Sequence, residues 1–236
     1  MRQETRAVVE RYQRRTAVYD PLEPWIFMSR QERERALIRW LRTCAPGPPA
    51  RMRLMEIGCG QGGNLLQFLR LGFHPSNLVG NELQAERASE AVGMLPAKVT
   101  IHQGDALDLQ PELGPFDVVF QSLVFSSILE DQFQDALAAK MWTLARPGGG
   151  VLWYDFIYNN PSNSDVRGVR YRRIRQLFPE AKPRSWRVML APPVSRLVTR
   201  VHPGLYQLFN ALPWLRTHML IWLPKDRIRS NAAGAL

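Results

Sequence analysis

Arg53-Leu-Met-Glu-Ile-Gly-Cys-Gly-Gln-Gly-Gly-Asn64 reads as a short buried strand that runs into a glycine-rich turn and then a helix. Gly58, Gly60 and Gly63 satisfy G-x-G-x-x-G, a pattern in which missing side chains allow positive φ and let a ligand approach the bare backbone. A helix predicted from about Gly63 to Leu71 presents unpaired N–H groups at its start, facing whatever sits over the turn. These features point to a nucleotide-type pocket without saying which nucleotide.

Outward from this turn, short apolar runs alternate with helical stretches, the pattern of a parallel sheet covered on both faces. Strands are predicted at 54–57, 77–81, 98–102, 117–121 and 151–155, with helices at 65–71, 84–92 and 131–144. Arg146-Pro-Gly-Gly-Gly150 reads as the turn into the fifth strand. Two further strands are expected at 185–190 and 216–223, antiparallel to each other and separated by an amphipathic stretch at 194–212.

Residues 1–45 read as helical and lie outside the nucleotide fold. A first helix over 6–19 breaks at Asp20-Pro21. A second is predicted to begin at Ser29, where Ser29 and Glu32 form a capping box, and to bury Ala36, Leu37, Trp40 and Leu41. This segment either lies over the pocket as a lid or packs Tyr12, Tyr19, Trp25 and Trp40 onto the domain; for Trp40, packing is the expectation. Ala45-Pro-Gly-Pro-Pro49 reads as a stiff linker. The expected organisation is a helical cap at 1–45, a main domain at 46–224 and a disordered tail at 225–236.

A chain of 236 residues with 45% hydrophobic content can bury one sizeable core. Its formal charge of +10 favours contact with phosphates, anionic sugars or a negatively charged membrane surface, or describes a merely soluble basic protein. Between Val166 and Arg200 the only acid is Glu180, against ten arginines and lysines. Cys44 and Cys59 are the only cysteines, and a disulfide between them would distort the glycine turn, so both are expected as reduced thiols. The polar N-terminus and the absence of a long apolar run lead us to expect a cytoplasmic protein, with peripheral contact at the inner membrane left open by its charge. No RNA-binding module is recognisable, which ranks nucleic acid low among partners. No metal site is expected.

Two acids discriminate among nucleotides. Glu82 ends the second strand nineteen residues beyond Gly63, where a carboxylate can accept from both hydroxyls of a ribose. Asp105, in Gln103-Gly-Asp-Ala106, can accept from an adenine amino group or cap a helix. With these residues in place, 51 to about 156 resembles the catalytic domain of class I S-adenosylmethionine-dependent methyltransferases. The matching elements are Leu-Met-Glu-Ile-Gly-Cys-Gly-Gln-Gly-Gly, Val-Gly-Asn-Glu82, Gly-Asp105-Ala, Phe-Asp-Val-Val-Phe-Gln121 and Leu-Ala-Arg-Pro-Gly-Gly.

The resemblance implies a Rossmann-like α/β fold with a mostly parallel seven-stranded sheet, one antiparallel strand and added N-terminal helices. It also implies S-adenosyl-L-methionine as cofactor. Glu56 and the turn Gly58, Cys59, Gly60 and Gly63 would hold the methionine part, and Glu82 the ribose hydroxyls. Leu83 would pack on the adenine beside Ala106, Asp105 would bond its amino group, and Gln121 would lie beside the sulfonium. A His-His pair that the family often shows after the fourth strand is replaced here by Val124-Phe-Ser126-Ser127-Ile, so any base comes from elsewhere.

Asp155, Tyr158 and His202 are the candidate catalytic residues, with Asn159, Asn160 and His218 as alternatives. Each also has a plain structural reading as a cap, a turn former or a packed strand residue. Val151 to Val169 and the closing Leu215-Arg-Thr-His218 resemble bacterial methyltransferases of surface polysaccharide or lipopolysaccharide synthesis. That implies a sugar hydroxyl as acceptor, on a nucleotide- or lipid-diphosphate carrier that the arginines of 166–200 would suit. The competing readings are a lipid or quinone methyltransferase at a membrane, an RNA methyltransferase, and a cofactor-binding protein without turnover.

Overall fold

Leu54, Met55, Glu56 and Ile57 are all buried and form β1 (Leu54–Ile57), the strand from which the architecture is built. The computed structural model describes residues 2–14, 20–160 and 163–226. β1 pairs in parallel with β2 (Leu78–Glu82) on one side and β4 (Phe116–Ser122) on the other, with Leu54 opposite both Leu78 and Val118. β3 (Thr100–Gln103), β5 (Ala145–Phe156), β6 (Arg184–Leu190) and β7 (Arg216–Pro224) complete one sheet in the order β3-β2-β1-β4-β5-β7-β6. β7 runs antiparallel to both β5 and β6, giving the mostly parallel seven-stranded sheet that was expected. Strand order reverses direction between β1 and β4, and ligands of open α/β sheets bind at the carboxyl ends of the strands at such a switch point.

Burial on both faces explains why the central strands are mostly apolar, with buried polar exceptions at Glu56, Asn81, Glu82 and Gln121, at or near their carboxyl ends. On one face α2 (Pro24–Thr43), α3 (Gly63–Arg70) and α4 (Ala85–Met94) pack Leu37, Trp40, Phe68 and Ala91 against Leu54, Phe120, Leu152 and Trp222. Phe68 is fully buried and meets both Phe73 and Phe120 edge-on at 5.2 Å. Burying such a side chain stabilises the fold by roughly 1.5–3 kcal/mol. On the other face α5 (Asp131–Leu144) and α6 (Tyr171–Leu177) cover Met55, Val119, Trp153 and Ile221, and Val8 of α1 (Gln3–Gln13) joins this core. A smaller cluster joins α7 (Pro192–Val201) and α8 (Leu205–Asn210), which connect β6 to β7, through Leu190, Val198 and Tyr206.

The structure departs from several sequence expectations. α2 starts at Pro24, not at Ser29: proline tolerates the first helical turn, where its missing N–H has no partner anyway. Ser29 is instead inside the helix, its hydroxyl donating to the Trp25 carbonyl at 2.7 Å, and it caps nothing. Residues 146–150 lie within β5, where the register against β4 shifts between Phe116 and Val118. The first helix ends at Gln13, and Ala17, Val18 and Tyr19 fall outside the described residues, as do 227–236 of the expected tail. Trp40 is fully buried against Trp222, ring centroids 5.5 Å apart, as the packing reading predicted.

Candidate functional site

The turn after β1 opens the site. Gly58, Gly60 and Gly62 take φ of 67°, 57° and 86°. The third left-handed position is therefore Gly62 and not Gly63, which begins α3 with open space around its missing Cβ. A Cβ at Gly58 would stand 2.6 Å from the Val124 side chain, and one at Gly60 would stand 2.6 Å from the Arg87 guanidinium. The bare backbone is what lets both neighbours close on the turn. Cys59 contributes mainly backbone: its N–H donates to the Asn81 carbonyl at 2.9 Å, and burial pushes its thiol pKa up.

Glu82, at the end of β2, reaches back to this turn. Its Oε2 accepts the Gly60 N–H at 2.8 Å and its Oε1 the Gln84 N–H at 3.0 Å. Each carboxylate oxygen has a further lone pair, so Glu82 braces the turn and retains acceptor capacity. Leu83 follows, half-buried. Asn81 holds the next loop by donating to the carbonyls of His102 and Gly104 at 3.1 and 2.9 Å. In that loop Asp105 Oδ1 accepts from the Leu107 N–H at 2.9 Å, beside buried Ala106.

Glu56 is fully buried, and its Oε1 accepts from the Asn64 amide at 2.6 Å. Among the described residues its Oε2 has no partner. Burial pushes the carboxyl up to about 8, against the pull of Asn64 and the Arg33 charge. Arg33, on α2, donates to Gln67 Oε1 at 3.1 Å, lies 5.6 Å from the Tyr154 ring centroid and leaves its buried Nε unpartnered. An unmade buried bond costs about 1–3 kcal/mol, more for charged groups. A buried carboxylate oxygen and a buried guanidinium N–H, both unsatisfied in one neighbourhood, fit a ligand end carrying both an ammonium and a carboxylate. Arg33 was absent from the sequence-based site, because one arginine among Arg30, Arg35 and Arg39 carries no distinguishing mark.

At the ends of β4 and β5, Gln121 is fully buried, donating to the Tyr154 carbonyl at 3.3 Å and accepting from the Val124 N–H at 3.0 Å. Asp155 is also fully buried and accepts the N–H groups of Ser126 and Phe156 at 3.1 and 2.9 Å. Burial raises it to about 7 despite those bonds. His218 stacks on Tyr154 at 5.5 Å and 21°, with Nδ1 3.0 Å from the Thr217 hydroxyl. Burial first, and the Arg33 charge second, lower it to about 3, so its imidazole is neutral. Tyr158 is half-exposed in the loop after β5, its hydroxyl 3.4 Å from Arg187. The structure does not gather His202 with this group: it is exposed at the end of α7, its Nδ1 accepting from Gly204 N–H of its own loop.

α1 lies across this edge of the sheet. Arg2 and Thr5 both donate to Asp105 Oδ2, at 2.9 and 2.7 Å. Glu4 accepts the Leu129 N–H at 2.8 Å and pairs with buried Arg11, which also donates to the Ser127 carbonyl at 2.9 Å. Arg87, the side chain over Gly60, lies 5.3 Å from the Tyr12 ring centroid. Of the basic stretch, Arg167 pairs with Asp131, and Arg173 with Asp135 at 2.9 Å, which ties both to α5.

This fold is that of class I S-adenosylmethionine-dependent methyltransferases, and residues 54–149 match the family model described as a methyltransferase domain. Similar solved structures include magnesium protoporphyrin IX methyltransferase from Synechocystis with bound SAH, at 13% identity over 92% of this chain and 94% of that one, TM-score 0.57. Phosphoethanolamine N-methyltransferase 2 of Haemonchus contortus, in complex with S-adenosyl-L-methionine, is 17% identical over 82% of this chain and 52% of that one, TM-score 0.56. A SAM-dependent methyltransferase from Archaeoglobus fulgidus is 13% identical over 84% and 99%, TM-score 0.55. At these identities the likeness is one of fold. No curated protein matches the sequence.

Proposed function

We propose that this chain moves a methyl group from S-adenosyl-L-methionine to a hydroxyl of a small molecule, a sugar in surface polysaccharide synthesis. The observation that carries the cofactor assignment is the pair of buried, unpartnered atoms, Glu56 Oε2 and Arg33 Nε. They match the ammonium and carboxylate of the methionine part. Glu82 keeps lone pairs for the ribose hydroxyls, and Leu83 with Ala106 offers apolar contact for the adenine. When bound, the cofactor supplies a methyl group on a sulfonium, an electrophile that needs little further activation.

The work left to the protein is alignment, worth up to about 7–11 kcal/mol in favourable systems, and removal of the acceptor proton. Both oxygens of Asp155 already hold backbone N–H groups, which suits it to fixing the Ser126 loop. His218 is a neutral imidazole whose protonated form burial and the Arg33 charge disfavour, and we assign it to accept a hydrogen bond from the acceptor hydroxyl and align it, the proton leaving to solvent. Tyr158, Asn159 and Asn160 in the loop after β5 offer hydrogen-bonding groups to a hydroxyl-rich acceptor. The sugar itself rests on the resemblance of residues 151–169 and 215–218.

Calorimetric titration with S-adenosylhomocysteine, with NAD as control, tests the first step. Micromolar binding of the former alone, about −8 kcal/mol, is expected. Transfer of labelled methyl to free, nucleotide-linked or lipid-diphosphate-linked sugars tests the second. Binding of NAD overturns the cofactor, and transfer only to quinones or RNA overturns the acceptor. His218→Ala is expected to lower kcat while leaving S-adenosylhomocysteine affinity in place, and an unchanged kcat removes His218 from alignment of the acceptor.

A further inference from the structure

The α7–α8 connection and the start of α2 carry a surface that methyl transfer does not explain. Of the eleven exposed large hydrophobic residues among those described, six lie in these two segments: Leu22 and Phe27 in one, and Leu197, Val201, Leu208 and Trp214 in the other, each between 52% and 85% exposed. On α7, Ser195, Val198 and Thr199 face inward. Helical periodicity then puts Arg196 and Arg200 along one edge of the outward face and Leu197 and Val201 along the other. Apolar side chains beside arginines on the solvent face of an amphipathic helix are the arrangement of helices that lie in a membrane interface.

The arginines also line a cleft. Glu23, Pro24, Trp25, Arg196, Thr199 and Arg200 enclose about 260 Å³ between the start of α2 and α7. The Arg196 guanidinium sits 4.7 Å from the Trp25 ring centroid. Among the described residues neither Arg196 nor Arg200 makes an ion pair with a carboxylate, Glu23 included, whereas Arg167 and Arg173 do. Two uncompensated guanidinium groups at the rim of an exposed apolar set have the charge and geometry for a phosphodiester above an acyl layer.

We propose that this face, α7 with the start of α2, Leu208 and Trp214, docks the protein on an anionic lipid surface, with Arg196 and Arg200 taking lipid phosphates. No described helix is long and apolar enough to cross a membrane, and the contact proposed is interfacial. A second copy of the chain fits this face less well, because in a two-fold contact the same patch faces itself and the guanidinium groups of two Arg196–Arg200 pairs would share one interface. Topology gives the docking a consequence. Leu190 ends β6 opposite Arg216, and Phe156 ends β5 opposite His218, so the α7–α8 cap stands at the same sheet edge as the candidate site. The docked protein holds that edge near the lipid headgroups.

Flotation of the full chain with vesicles of phosphatidylcholine, alone or mixed with phosphatidylglycerol, tests this. Binding to the mixed vesicles only is expected. Arg196→Glu with Arg200→Glu is expected to reduce it at least about tenfold. Leu197→Ser with Val201→Ser should reduce it with the charge unchanged, and Arg172→Glu with Arg175→Glu should have less effect than the Arg196 and Arg200 pair. Circular dichroism and S-adenosylhomocysteine binding check that each variant is folded. The proposal is overturned by no binding to phosphatidylglycerol vesicles, or by equal loss from both arginine pairs, which would leave only the net charge. A concentration-dependent dimer abolished by the Leu197 and Val201 changes would also overturn it, since a second copy would then cover the face.

Discussion

The Thr5 hydroxyl donates to Asp105 Oδ2 at 2.7 Å, tying the first turn of α1 to the loop after β3. The same oxygen accepts from Arg2 at 2.9 Å. Asp105 is the residue proposed to bond the adenine amino group, and on that proposal helix and cofactor would share one carboxylate.

If α1 competes for that carboxylate, Arg2→Ala with Thr5→Val frees Asp105. S-adenosylhomocysteine is then expected to bind about 1 kcal/mol more tightly, with most of the change in the association rate. Arg2 is half-exposed, and its ion pairs contribute little of this. Stopped-flow binding measures it. Weaker binding would show instead that α1 belongs to the closed site.

Arg33→Met separates the two ends of the cofactor. If Arg33 holds the methionine carboxylate, S-adenosylhomocysteine affinity falls by about 1.5–3 kcal/mol, the range for a hydrogen bond to a charged group. Methylthioadenosine, which lacks the amino-acid end, should bind the variant and the native protein equally. A parallel loss for both ligands would place Arg33 in packing against Tyr154.

Glu56 makes both stability and binding depend on pH, with opposite signs. Its carboxyl lies at about 8 in the folded protein against an ordinary 4.5. Between those values the folded state keeps a proton that the unfolded chain releases. The group's contribution to stability therefore declines as pH rises through that window and levels off above it. A ligand ammonium favours the carboxylate, so binding below about pH 8 expels the proton and tightens as pH rises toward 8. Calorimetry in buffers of different ionisation enthalpy should detect proton release, and Glu56→Gln should abolish it and flatten both dependences.

The positions of the central strands were legible because strands buried on both faces are rich in apolar residues, as Leu54–Ile57, Phe116–Ser122 and the apolar part of β5 are, whereas their spatial order is set by pairings that no local pattern records. Glu82 was singled out by its spacing from the glycine turn and Asp105 by its place after the third strand, and the structure sets Glu82 against that turn and Asp105 in the loop after β3. Arg33 was not singled out, since its meaning comes from the burial of Glu56 on another element and not from its own neighbours. The docking of α1 was equally hidden: it rests on bonds between residues about a hundred positions apart, such as Arg2 and Thr5 to Asp105. His202 was favoured over His218 although nothing local separates them. Only the pairing of β7 with β5, which sets His218 opposite Phe156, distinguishes the two.

The glycine turn supplies a paired test of motif against backbone. Gly62 sits at φ 86°, and an added Cβ would stand 2.8 Å from Leu95, so Gly62→Ala combines a disfavoured conformation with a clash. It is expected to cost about 1–3 kcal/mol of stability and to weaken S-adenosylhomocysteine binding by displacing the turn. Gly63, the third glycine of the sequence pattern, has no left-handed φ and nothing within 4 Å of its missing Cβ. As the first residue of α3 it should accept alanine with little change or a gain of about 0.4–1 kcal/mol, because the unfolded chain loses freedom. Thermal and urea unfolding of the two variants measures both. A larger loss at Gly63 than at Gly62 would mean that the motif's third glycine is needed for close approach of the ligand or of α3, and not for the shape of the turn.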